Sequence, residues 1–282
     1  MKRWISILSA TALSLTCCGC NDASSNEHTQ AATKSEQKIL VALGDSIAAG
    51  YGLENAEETR YSALLTESLA QENITWRDCN YAVSGDTAAQ LMERLNNGRA
   101  VRLPSADVIT ISIGANNMLQ PFGEFYGVWM QQSEDTAALS TAFTKMESAI
   151  AAGLADFEAE LPNIYKYIRG CNTEGKIIIQ TIYNPFADTN AEIDLGERRI
   201  SLAAYAQAQL EKCNSIITGF IVEQHDANLF AADIYAAFAA EDTMPVIGQK
   251  GSENVPYLDP HPNNKGHEII AAVIKDIIQA GS

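Results

Sequence analysis

The chain of 282 residues carries 19 Lys and Arg against 35 Asp and Glu, a formal net charge of -16. A surface this acidic repels phosphate backbones and argues against a nucleic-acid partner. The length suffices for one α/β domain with a sizeable core or for two small ones, and apolar residues spread along the chain predict a packed globule.

The first residues read as an address rather than as fold. Lys2 and Arg3 precede an apolar run, Ile5 to Thr16, that is too short to span a bilayer as an ordinary transmembrane helix and ends in Cys17-Cys18-Gly19-Cys20. The pattern is similar to a bacterial lipoprotein signal, which implies a signal peptide over 1–19 and a lipidated Cys20 as the mature N-terminus, with Cys18 as the alternative. The protein is then expected to be exported and lipid-anchored to the bacterial cell envelope. Residues 20–37 are polar and small, cannot bury enough surface to fold, and read as a tether to a domain over 38–282. Cys79, Cys171 and Cys213 remain in that domain. Two of them could pair in an oxidising compartment, but an odd number leaves one over, and no spacing suggests a metal site.

Lys38 to Leu43 reads as a buried strand bounded by Gly44, and a helix is expected over Arg60 to Gln71. Ile74 to Val83 is extended and ends in Ser84-Gly85-Asp86-Thr87, where Asp86 or Thr87 can cap a helix from Ala88 to Asn97. Asp107 to Ile113 is the cleanest strand, Lys176 to Ile182 another, and Asn228 to Ala232 a weaker one. Helical stretches fall at Thr136 to Glu160, Ile200 to Glu223 and Gly266 to Ala280. Alternating strands and helices predict parallel strands joined by crossovers, with helices on both faces of the sheet. Ser46, Gly85 and Asn116 follow the first three strands, so all three fall on one sheet edge, where open α/β sheets carry their ligands.

Four blocks in order, Gly44-Asp45-Ser46, Gly85 within Ser84-Gly85-Asp86-Thr87, Gly114-Ala115-Asn116-Asn117 and Asp259-Pro260-His261-Pro262-Asn263, resemble those of the SGNH, or GDSL, hydrolases. The stretch Ser46 to Leu53 is similar to the segment just after the nucleophile in esterase and lysophospholipase members. The resemblance implies a flavodoxin-like three-layer sandwich of about five parallel strands, and ester hydrolysis through an acyl-serine. It assigns Ser46 as nucleophile, His261 as base, and Ser46, Gly85 and Asn116 as the oxyanion hole, with no metal or organic cofactor.

The residue chemistry agrees, since an unactivated hydroxyl needs a base within reach. Of the four histidines, His28 lies in the tether, His225 reads as a solvated helix end and His267 as a structural helix histidine, which leaves His261 in a Pro-flanked loop. Glycine permits close backbone approach at position 85, and an Asn amide donates without adding charge. Two positions depart from the family pattern. Asn117 stands where an Asp is usual, and Leu258 stands three before the histidine, where the orienting acid is usual. Either Asp259, two before His261, reaches the imidazole, or a backbone carbonyl orients the ring.

Phe122, Phe125, Tyr126, Trp129 and Met130 come after the third block and either line an acyl or aryl pocket or form core. Ala240 to Pro256 reads as a long loop of the kind that serves as a lid. Short-chain esters, lysophospholipids, thioesters and acetylated glycans all remain open as substrates. A carbohydrate O-deacetylase of the same fold and a non-catalytic binding lipoprotein on a decayed hydrolase fold are the alternatives.

Overall fold

The computed structural model describes residues 36–132, 134–251 and 256–280. The signal, most of the tether, and Cys18 and Cys20 lie outside the described residues. β1 (Glu36–Gly44) leads through the short helices α1 (Ser46–Ala49) and α2 (Ala56–Thr59) into α3 (Tyr61–Leu69). β2 (Ile74–Asn80), α4 (Ala88–Asn96), β3 (Val108–Ser112), α5 (Ala115–Gln131), α6 (Thr136–Cys171) and β4 (Lys176–Gln180) come next. A small antiparallel pair, β5 (Glu192–Asp194) and β6 (Arg199–Ser201), precedes α7 (Leu202–Gln224), β7 (Leu229–Ala232) and α8 (Ile234–Ala239). An antiparallel hairpin, β8 (Val246–Gly251) with β9 (Pro256–Pro262), and then α9 (Asn264–Ala280) close the chain.

β2, β1, β3, β4 and β7 form one five-stranded sheet in that order, every pair parallel. This is the flavodoxin-like order, and helices cover both faces. Strand alternation sorts the side chains: Val41, Leu43, Ile109, Ile111, Ile177 and Ile179 pack with α4 to α7, whereas Leu40, Val108 and Ile178 pack with α3, α8 and α9. The expected three-layer sandwich is therefore the observed fold.

Several boundaries differ from expectation for identifiable reasons. Glu36 and Gln37, the end of the expected tether, pair with Ile74 and Thr75 as strand. α6 runs past Pro162 because its buried stripe continues through Leu161, Ile164 and Ile168, and that burial outweighs the backbone bond proline removes. The stretch after the third block is a helix, α5, despite Pro121, Gly123 and Gly127. Gly153 makes this possible on the other side: a Cβ there would stand 2.0 Å from the Asn117 carbonyl oxygen, so only glycine lets α6 lie so close to α5. The expected loop before His261 contains β8, and His261 itself stands in β9.

Candidate active site

Ser46 is placed by the way β1 leaves the sheet. Gly44 has φ of 134°, and a Cβ on it would fall 2.0 Å from the Ser112 carbonyl oxygen, so the turn beside β3 requires glycine. The Asp45 N–H then donates to that same oxygen at 3.0 Å. Asp45 caps α1, its Oδ1 accepting from the Ile47 N–H at 3.0 Å, while its Oδ2 is buried without a partner. Burial pushes the Asp45 carboxyl up to about 7, against the pull of the Ile47 N–H. Ser46 is the first residue of α1 and is buried. The Asn80 amide holds α1 from the side, donating to the Ala48 carbonyl at 2.6 Å.

The ends of β2 and β3 meet through side-chain amides. Asn116, buried in the first turn of α5, donates through Nδ2 to the Asp86 carbonyl at 3.1 Å. Gly85, exposed at φ of 88°, has its carbonyl held by the Gln120 amide at 3.3 Å. Asp86 is itself buried and paired with Arg94, Nη2 to Oδ1 at 2.9 Å. Asn117 uses both ends of its amide: Oδ1 accepts from the Ala88 N–H at 3.2 Å, and Nδ2 donates to the Gly153 carbonyl at 3.1 Å. A carboxylate could not make the second bond, which gives the departure from the family pattern a structural role.

The histidine comes from β9. Residues two apart on a strand share a face, so Asp259 and His261 project together although only Pro260 separates them. His261 Nδ1 lies 2.7 Å from Asp259 Oδ1, which also accepts the His261 backbone N–H at 3.1 Å. Of the two arrangements left open by the sequence, the structure has the carboxylate on the ring. With Nδ1 donating to Asp259, Nε2 is the free acceptor. The sequence assigns no role to three groups that support this segment. The Tyr183 hydroxyl donates to the Pro260 carbonyl at 2.6 Å, the Asn263 amide donates to the Val246 carbonyl at 2.9 Å, and the Tyr51 ring lies 4.4 Å from the imidazole.

Ser46, Asn116 and His261 line one cavity, of about 750 Å³ including its open mouth, and Gly85 is not part of its lining. The cavity continues between α5, α6, α7 and the segment after β4, among Met118, Phe122, Ile182, Phe186 and Leu210. The aromatic cluster after the third block thus divides. Phe122 faces the cavity, Phe125 and Trp129 are core, and Met130 is exposed.

Neither His225 nor His267 lines that cavity, and nor do Cys79, Cys171 and Cys213. His267 is buried in α9, its Nδ1 accepting from the Tyr61 N–H at 3.1 Å, and burial, with a smaller push from His261, lowers its pKa to about 4. His225 caps α7 with φ of 49°. Cys79, Cys171 and Cys213 are all free thiols.

A model of the GDSL-like lipase/acylhydrolase family matches residues 42–269. The chain is 25% identical over 197 residues to an uncharacterized protein, YpmR, of Bacillus subtilis, covering 68% of this chain and 70% of that one. It is 36% identical over 83 residues to the esterase TesA of Pseudomonas aeruginosa, 29% of this chain and 39% of that one. Among solved structures, an extracellular lipase from Streptomyces rimosus superposes with a TM-score of 0.62 at 17% identity, covering 87% of this chain and all 100% of that one. The acetyl-xylooligosaccharide esterase Axe2 of Geobacillus stearothermophilus superposes with a TM-score of 0.54 at 19% identity over 87% and 96% of the two chains. These likenesses extend the fold match over nearly the whole described domain, and the family model, spanning the strand ends and the histidine alike, establishes that the chain belongs to the GDSL-like lipase/acylhydrolase family of ester hydrolases.

Proposed function

We propose that the protein hydrolyses carboxylic esters of hydrophobic acyl groups through an acyl-Ser46 intermediate. His261 Nε2 takes the proton from Ser46 Oγ, which attacks the ester carbonyl. The developing oxyanion is held by the backbone N–H groups of Ser46 and Gly85 and by the Asn116 side chain. His261 then returns the proton to the departing alcohol, and water repeats the cycle on the acyl-enzyme. Asp259 keeps the imidazole in the tautomer that leaves Nε2 free and stabilises it when charged. Asn116 turns its Nδ2 from the Asp86 carbonyl, or shares it, to meet the oxyanion.

The observation that carries this reading is the cavity, in which Ser46, Asn116 and His261 adjoin an aliphatic and aromatic lining suited to an acyl chain. Lysophospholipids and acyl thioesters are narrower substrates of the same reading. A carbohydrate O-deacetylase is the second reading, favoured by Tyr51, a half-exposed aromatic face beside His261. We further propose that the domain is exported and held at the cell envelope by a lipid on Cys20, a reading that rests on the N-terminal sequence. Wild type and Ser46→Ala assayed on p-nitrophenyl esters from acetate to palmitate, with acetylated xylan alongside, test the mechanism and the substrate class together. Loss of about a thousandfold or more is expected in Ser46→Ala. Equal hydrolysis by both proteins would overturn the serine mechanism, and a preference for acetylated xylan would favour the deacetylase.

A further inference from the structure

Beyond the active-site cavity a second, outer groove opens between α6 and α7. It is lined by Leu154 and Ala155 of α6 and by Ala208 and Ile216 of α7, and encloses about 1420 Å³ including open solvent. Two residues line both the groove and the cavity, Tyr205 and Gln209, one helical turn apart on the same face of α7. The Tyr205 ring is half-buried against Phe143, with centroids 5.1 Å apart, and the Gln209 side-chain carbonyl accepts from Lys212 Nζ at 3.1 Å. Two side chains therefore stand between an apolar cavity at the nucleophile and an open groove in which Leu154, Ala155, Ala208 and Ile216 are accompanied by charged side chains.

We infer that Tyr205 and Gln209 form a partition between the acyl cavity and an outer subsite that takes the distal end of a long acyl chain, so that their bulk sets the preferred chain length. The inference rests on the reading that the acyl group occupies the inner cavity. The shared wall identifies the occupant, because whatever passes between Tyr205 and Gln209 is the part of the substrate farthest from the ester. Charge agrees: Glu147, Glu158 and Glu211 line the groove against Lys212 alone. That balance disfavours a carboxylate or phosphate as the occupant. Each methylene removed from water there favours binding about fourfold, so even a short extension shifts specificity.

The ratio of kcat/KM for p-nitrophenyl palmitate to that for the butyrate, measured on the full chain, reads the partition directly. Tyr205→Ala widens the way between the two spaces and is expected to raise the ratio at least tenfold. Tyr205→Phe keeps the bulk and should hold it within twofold of wild type. Ala208→Trp, at an exposed helix position, fills the outer groove and should lower the ratio several-fold. It decides the matter alone if Tyr205→Ala does not fold. Ratios within twofold of wild type in both Tyr205→Ala and Ala208→Trp, or in Ala208→Trp where only it folds, would overturn the inference. If Ser46→Ala is inactive while those ratios stay fixed, the groove assignment fails and the serine mechanism stands. If Ser46→Ala is fully active, the mechanism itself fails.

Discussion

The two halves of the site are built differently. Ser46 and Asn116 stand at the ends of strands inside the five-stranded sheet, where parallel register and Gly44 fix the backbone and the side chains are buried. Asp259 and His261 stand on a hairpin outside that sheet, and a few named bonds hold them: Tyr183 to Pro260, Asn263 to Val246, and the carboxylate to the ring. The two carboxylates show the contrast most sharply. Asp45 is 1% exposed and has one oxygen without a partner, whereas the Asp259 side chain is 21% exposed and spends one oxygen on two donors. One half holds its geometry by burial and carries the electrostatic cost of it, and the other by hydrogen bonds near solvent.

Stability against pH should expose that cost. Asp45 has its pKa raised from 3.8 to about 7, so the folded state binds the proton more tightly than the unfolded chain. Its contribution is therefore fully present below about pH 4 and is lost as pH rises to about 7. Asn at this position keeps an acceptor for the Ile47 N–H and cannot ionise. Asp45→Asn should gain stability relative to wild type between pH 4 and 7, by on the order of 4 kcal/mol in all. Urea unfolding of both proteins at intervals of pH measures this, and a difference that does not change with pH would show that Asp45 ionises freely. His267 runs the other way: its pKa, lowered from 6.5 to about 4, makes the folded state lose stability as pH falls through that interval. Taking the difference between Asp45→Asn and wild type cancels it.

Asn116→Ala comes next and tests the buried half in catalysis. Loss of one oxyanion donor should lower kcat about 100-fold to 1,000-fold with little change in KM, read on p-nitrophenyl butyrate. A loss under tenfold would remove Asn116 from the oxyanion hole. On the hairpin half the effect should be smaller. Asp259→Asn keeps an oxygen for the ring N–H but removes the charge that stabilises the imidazolium, and partial exposure lets water replace some of it. A decrease in kcat of at least tenfold is expected, short of the roughly 10,000-fold that a fully buried triad carboxylate is worth. Unimpaired turnover would mean that the orientation of the ring does not depend on the carboxylate.

Legibility in the sequence divides along the same line. Buried parallel strands are near-continuous aliphatic runs, so Val108 to Ile113 and Ile177 to Ile179 announced themselves, and with them the strand ends that carry Ser46, Gly85 and Asn116. α5 was obscured because Pro121, Gly123 and Gly127 interrupt its pattern, while its buried residues Met118, Phe125 and Trp129 are fixed by packing against α6. The hairpin was hidden by Gly248, Gly251, Pro256, Pro260 and Pro262, all residues that usually mark loops. Read as a loop, the segment leaves the Asp259 geometry open, because two-residue spacing brings side chains together in a strand but not in an arbitrary loop. The Tyr183 contact carries no local signal at all, its partner Pro260 being 77 positions away.

Tyr183 offers the smallest and most discriminating test of the comparison. Its ring stacks on Phe238 at 4.3 Å and lines the cavity, and its hydroxyl fixes the carbonyl between Asp259 and His261. Tyr183→Phe keeps the ring and removes only that bond, worth about 1 kcal/mol, so kcat should fall about fivefold with KM within twofold. If the hydroxyl acts by positioning the histidine, it shares its effect with the carboxylate. The double variant with Asp259→Asn should then lose less than the product of the two single losses. Pairing Tyr183→Phe with Asn116→Ala should instead give losses that multiply, because that residue belongs to the sheet-edge half. Multiplicative losses in both pairs would show that Tyr183 acts on the cavity and not on the hairpin.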